Sequence, residues 1–85
     1  MSKTVFTGYH RDLVQTLIDA RKKAGLTQTE LGERLGKDQT FISLVERSQR
    51  RIDVLEFYAY SRALNADPFE LYAELIAKLP EHIDI

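Results

Sequence analysis

No cysteine occurs in these 85 residues, which excludes both a disulfide framework and a thiolate metal site. A domain of this size must then be held by packing or by oligomerisation, and a cysteine-free chain suits a reducing, cytoplasmic setting. Histidine is scarce too: His10 and His82 lie in separate segments, and the four glycines form no phosphate-cradling loop. No metal, no cofactor and no enzymatic activity are therefore expected. No stretch approaches the ~18 apolar residues of a membrane span. The start, Met1 to His10, carries Lys3 and polar residues without the apolar centre of a signal peptide, so no membrane partner is expected.

What is present is ordinary for a globular protein: 44% hydrophobic and 29% charged residues, a composition that folds. One domain over residues 1–85 is the expectation. The formal net charge of −1 argues at first against a polyanionic partner, because affinity for phosphates depends on Lys and Arg. The distribution of charge points the other way. Residues 1–51 hold ten basic and six acidic side chains, whereas residues 52–85 hold two basic and seven acidic. A chain polarised in this way can turn its basic half to nucleic acid and its acidic half elsewhere.

Caps divide the chain into five helices and predict an all-α fold. The first helix starts near Tyr9 or His10, spaces Leu13, Leu17, Ala20 and Ala24 by three and four, and ends at Gly25. Thr27 and Glu30 make a capping box for the second, whose Leu31 and Leu35 face inward before Gly36 stops it. Asp38 caps a third helix that runs through Ile42 and Val45 to about Ser48. Asp53 and Glu56 open a fourth, which turns Phe57, Tyr60, Ser61 and Leu64 inward and stops near Asn65. Asp67, Pro68 and Glu70 open a fifth that reaches about Leu79, ahead of Pro80. The short tail after Pro80 receives no assignment.

Between Arg21 and Arg51 the run Arg21 … Gly25-Leu26-Thr27-Gln28 … Leu31-Gly32 … Leu35-Gly36 … Ile42-Ser43 … Glu46 resembles the Cro and phage-repressor type of helix-turn-helix regulator, the XRE-like family. Weaker similarity continues through Leu64 and Asp67-Pro68. The resemblance implies a five-helix, lambda-repressor-like domain with its helix-turn-helix over about residues 27–48, and double-stranded DNA as partner. The residue types suit that fold. Leu31, Leu35, Ile42 and Val45 supply a core for the helix pair, Gly32 permits close approach of the second helix, and Gly36 permits a positive φ in the turn.

The third helix presents Gln39, Thr40, Ser43, Leu44 and Arg47 away from Ile42 and Val45. Gln pairs with adenine, Ser and Thr bond several base edges, and apolar atoms meet the thymine methyl. By the resemblance Gln39, Thr40, Ser43 and Leu44 are the base-contact candidates, and Gln28 is similar to the family's phosphate-gripping glutamine. Lys37, Arg47, Arg50 and Arg51 flank the third helix and add phosphate-binding charge. The resemblance also implies an ion pair between Arg21 and Glu46 that orients the third helix and brings Arg21 near a phosphate. Two positions depart from the family pattern: Ser48 stands where glycine is common, and Tyr60 replaces an aliphatic core residue. Phe41 is expected to wedge against a neighbouring helix.

The implied function is a transcriptional repressor that binds an inverted-repeat operator as a homodimer. On the fifth helix Phe69, Tyr72, Ile76 and Leu79 are expected to pack on the core, leaving Leu71 and Leu75 as a surplus stripe. With Leu55 and Tyr58 of the fourth helix, that stripe is the expected dimer interface. Other functions compatible with the sequence are an antitoxin with a toxin partner, a restriction-modification controller that regulates its own operon, and a protein-interaction adapter. Neither a toxin nor RNA polymerase can be named as a partner from sequence.

Overall fold

Four of the five helices in the computed structural model, which describes residues 8–84, begin on a side chain that accepts from an otherwise unpaired backbone N–H. They are α2 (Gln28–Leu35), capped by Thr27; α3 (Gln39–Glu46), capped by Asp38; α4 (Val54–Ala63), capped by Asp53; and α5 (Pro68–Ile76), capped by Asp67. The boxes expected at Thr27/Glu30 and Asp53/Glu56 are both closed, the N3 carboxylate accepting in return from the cap residue's own N–H. The remaining helix, α1 (Tyr9–Lys23), follows Gly8 and carries Arg21, Lys22 and Lys23 in its last turn, where cations complement the dipole.

The first four helices also end alike. A residue in the left-handed region turns the chain, while the next N–H bonds back five residues: Leu26 to Arg21, Lys37 to Gly32, Gln49 to Leu44 and Ala66 to Ser61. The turning residues are Gly25 at φ 75°, Gly36 at 69°, Ser48 at 58° and Asn65 at 56°. Ser48 therefore takes the backbone conformation that glycine adopts freely, at a steric cost of about 1 to 2 kcal/mol for an L-residue. The loop leaving α3 thus keeps the course a glycine would give it.

The core gathers Leu17 from α1, Leu31 from α2, Ile42 and Val45 from α3, Ile52 from the following loop, Phe57, Tyr60 and Leu64 from α4, and Leu71 from α5. The hairpin of α2 and α3 rests on α1 and α4, and α5 closes the other end against α1 and α4. Thr16, fully buried on α1, donates to the Asp12 carbonyl and accepts from the Lys78 ammonium at 2.8 Å, which ties the end of α5 to α1.

The fifth helix corrects two expectations. Its regular hydrogen bonding stops at Ile76, and the turn to Leu79 is closed by shorter-range bonds from Lys78 to Leu75 and from Leu79 to Ile76. Its rotation is also the reverse of that expected. Leu71 and Leu75 are buried, at 2% and 7% exposure, whereas Phe69 is 87% exposed and Tyr72 and Ile76 about half. Leu71 and Leu75 are thus core residues and are unavailable as a dimer interface. Both stripes satisfy helical spacing, and the choice between them falls to the neighbouring helices. Leu71 shares the core cluster with Leu64 and Leu75 is buried one turn further on, while the Tyr72 ring lies edge-on to Phe57, with centroids 6.1 Å apart. Leu55 and Tyr58 are exposed, as expected.

Candidate nucleic-acid interface

The cap at Asp38 and the closing turn at Ser48 set the ends of α3, and Ile42 and Val45, both fully buried, set its rotation. Gln39, Thr40 and Arg47 then stand exposed, with Ser43 and Leu44 half-buried beside them. No carboxylate interrupts this face. The single acid within the helix, Glu46, is turned inward and paired.

That pair is the centre of a network joining three helices. Arg21 of α1 grips Glu46 with two nitrogens, Nε to Oε2 at 2.6 Å and Nη2 to Oε1 at 3.0 Å. Its Nη1 donates to the Leu26 carbonyl at 2.8 Å. Gln28, the first residue of α2, donates through Nε2 to Glu46 Oε1 at 2.8 Å. Gln39, the first residue of α3, donates in turn to Gln28 Oε1 at 2.6 Å. The side chains of Arg21 and Glu46 are 12% and 6% exposed, so the pair is shielded from salt and its hydrogen bond holds the guanidinium further toward its charged form.

The Arg21–Glu46 pair expected by resemblance is therefore present, but its extension through Gln28 to Gln39 was not anticipated. The signal in the sequence was that both glutamines directly follow a helix cap, Thr27 and Asp38. All three side-chain nitrogens of Arg21 are engaged, so its side chain braces α3 against α1. The other cations differ among themselves. Lys37, Arg47 and Arg51 are exposed. Arg50 is bonded through Nη1 to Glu56 Oε1 at 2.7 Å and to the Arg51 carbonyl, so its charge is partly matched within the protein. Phe41 packs at the edge of the core, as expected, but it also carries the Lys37 and Arg50 cations over its ring.

Beneath the network lies Tyr60, which is 1% exposed and whose hydroxyl has no hydrogen-bond partner among the described residues. Burial first, and then the nearby Glu46 carboxylate, push its ionisation well above the ordinary range. The ring thus fills the place of an aliphatic residue and leaves its polar tip unsatisfied. Among the described residues no cluster of three or more His, Asp or Glu is arranged to hold a metal, and no helix is long and apolar enough to cross a membrane.

Residues 17–71 match the helix-turn-helix family HTH_3. Among curated proteins none matches the chain. Among solved structures, an XRE-family like protein from Pseudomonas syringae pv. tomato is 42% identical, with a TM-score of 0.77 over 85% of this chain and 88% of that one. The restriction-modification controller C.AhdI from Aeromonas hydrophila is 31% identical, with a TM-score of 0.66 over 73% and 94%. The controller C.Esp1396I, solved as a tetramer with its natural 35 base-pair operator, shares the fold at 21% identity and a TM-score of 0.77, over 85% and 95%. With the hairpin geometry, the matched span and these likenesses together, the chain belongs to the XRE-type helix-turn-helix regulator family.

Proposed function

We propose that this protein is a sequence-specific DNA-binding regulator that represses by occupying an inverted-repeat operator as a homodimer, with α3 lying in the major groove. The observation that carries the reading is Gln39. Its amide is held by Gln28, which is held by the Arg21–Glu46 pair, so a base-reading group stands oriented on an acid-free helix face before DNA arrives. Thr40, Ser43 and Leu44 complete the base-contact set. Gln28, Lys37, Arg47, Arg50 and Arg51 supply the phosphate contacts that place it. Selection of bound duplexes from a random pool should return an inverted repeat. Gln39→Ala should then alter preference at one position per half-site by about 1 to 3 kcal/mol while leaving affinity for random DNA close to wild type. Equal losses on operator and random DNA would remove Gln39 from the base-reading set.

Dimerisation is proposed through the stripe that α4 and α5 leave exposed: Leu55, Tyr58, Phe69, Tyr72 and Ile76. Side chains of this size contribute about 1.5 to 3 kcal/mol each when fully buried, against an association cost of about 4 to 15 kcal/mol. Five per subunit therefore suffice on this scale. A twofold dimer would present two α3 helices about 34 Å apart, in successive major grooves. Sedimentation equilibrium at micromolar concentration should give a dimer for wild type and a monomer for Tyr72→Glu. A monomeric wild type would refute the dimer, and a dimeric Tyr72→Glu would place the interface elsewhere. A second reading, a restriction-modification controller acting on its own operon, is supported by the likeness to C.AhdI. An adjacent methyltransferase and endonuclease gene pair would favour it.

A further inference from the structure

The two flanks of α3 meet on one aromatic ring. Lys37, in the turn before the helix, and Arg50, in the loop after it, both lie over Phe41, with the ammonium 5.4 Å and the guanidinium carbon 4.8 Å from the ring centroid. Two cations gathered in this way repel each other. Two features offset the repulsion: the electron-rich face of the ring, and Glu56, whose carboxylate accepts from Arg50 Nη1 at 2.7 Å and also feels the charge of Lys37. Glu56 is itself immobilised, because the same oxygen accepts from the Asp53 backbone N–H at 2.9 Å in the α4 capping box.

Arg50 is consequently anchored on one nitrogen and stacked on one face. Nη1 is used by Glu56 and the Arg51 carbonyl, while Nε and Nη2 have no partner among the described residues. Lys37 adds a second donor group, so Lys37, Arg50 and Glu56 together carry one net positive charge. A guanidinium edge held in this way matches two oxygens of a phosphate with little ordering left to do. We propose that Lys37 and Arg50 form a single clamp for one backbone phosphate of the DNA, and that Phe41 and Glu56 are its positioning residues. The clamp rests on the DNA-binding reading above. It would tie both ends of α3 to the same point on the strand and thereby fix how the helix sits in the groove.

The test measures affinity for a random-sequence duplex as a function of salt. It uses the whole chain with Phe41→Leu, which removes the ring face but no charge, and with Phe41→Tyr, which keeps the face. Thermal melts confirm that each variant is folded. Phe41→Leu should bind several-fold more weakly at about 0.1 M salt, and its logarithmic salt slope should be shallower by about 0.9 per subunit, the contribution of one phosphate. Phe41→Tyr should keep the wild-type slope. A folded Phe41→Leu with an unchanged slope, or a Phe41→Tyr that loses as much as Phe41→Leu, would overturn the clamp. If Phe41→Leu does not fold, Lys37→Gln, Arg50→Gln and their double variant take its place. Two cations on one phosphate predict that the double variant loses about 0.9 per subunit, and a loss of about 1.8 would place them on separate phosphates. Failure of the wild-type chain to bind any duplex would instead overturn the DNA reading, and the clamp with it.

Discussion

Replacing Glu46 with alanine is expected to lower the unfolding free energy by about 3 kcal/mol, at the lower end of the loss seen when one partner of a buried ion pair is removed. Three donors would lose their acceptor at once. Arg21 Nε and Nη2 and Gln28 Nε2 all donate to this carboxylate, and the Arg21 side chain, at 12% exposure, has little water to turn to. The cost stays at the lower end because Arg21 keeps its bond to the Leu26 carbonyl. For a domain of this size that loss corresponds to a fall in Tm of at least about 12 °C. Glu33→Ala, on the exposed face of α2, is the control and should stay within about 0.5 kcal/mol of wild type. Coincident melting points for the two variants would show that the Arg21–Glu46 pair does not hold this fold together. Replacing both partners by apolar residues, Arg21→Met with Glu46→Leu, should recover part of the loss, because no charge is then left alone.

Gly32→Ala is expected to destabilise the protein by about 2 kcal/mol net, the opposite sign to the usual effect of this exchange. In a helix interior alanine normally gains about 1 kcal/mol over glycine. Here a Cβ would stand 2.9 Å from the Asp38 carbonyl oxygen and 3.0 Å from that of Lys37, both backbone atoms of the turn that starts α3. Neither can swing aside as a side-chain tip would, and overpacking of this kind costs about 1 to 3 kcal/mol or more. Because the turn is what has to move, α3 moves with it. Affinity for a selected operator should fall together with stability. A Gly32→Ala variant that melts at or above the wild-type temperature would mean that the turn yields freely. A destabilised variant with intact operator affinity would mean that α3 keeps its place despite the shift.

Most of the fold was legible because its boundaries are written in local chemistry. Thr27, Asp38, Asp53 and Asp67 cap the next residues of their own helices, and Gly25 and Gly36 turn within their own loops. These choices need no distant partner, so reading along the chain recovers them. The inward faces of α3 and α4 were legible by counting from those caps, which turns Ile42 and Val45 of α3 and Phe57, Tyr60 and Leu64 of α4 inward. Gln39, Thr40, Ser43, Leu44 and Arg47 were placed on the outer face of α3 by the same counting, and the Arg21–Glu46 pair was reached through family resemblance.

Where two solutions were locally equal, only the tertiary structure decided. On α5 the pair Leu71 and Leu75 and the set Phe69, Tyr72 and Ile76 both have helical spacing, and the inward choice depends on the space that α1 and α4 leave. Gln28 and Gln39 are eleven residues apart and Arg21 and Glu46 twenty-five, so their joining into one network depends on how three helices pack. Arg50 and Phe41 likewise belong to different segments, and only packing of the α3–α4 loop stacks one on the other. Local hydrogen bonds and steric limits act over about five residues, and within that range the sequence alone determined where the helices begin and which face of α3 is buried. The rotation of α5 and the side-chain network that orients Gln39 are settled at longer range, by packing density and by the cost of leaving a buried charge without its partner.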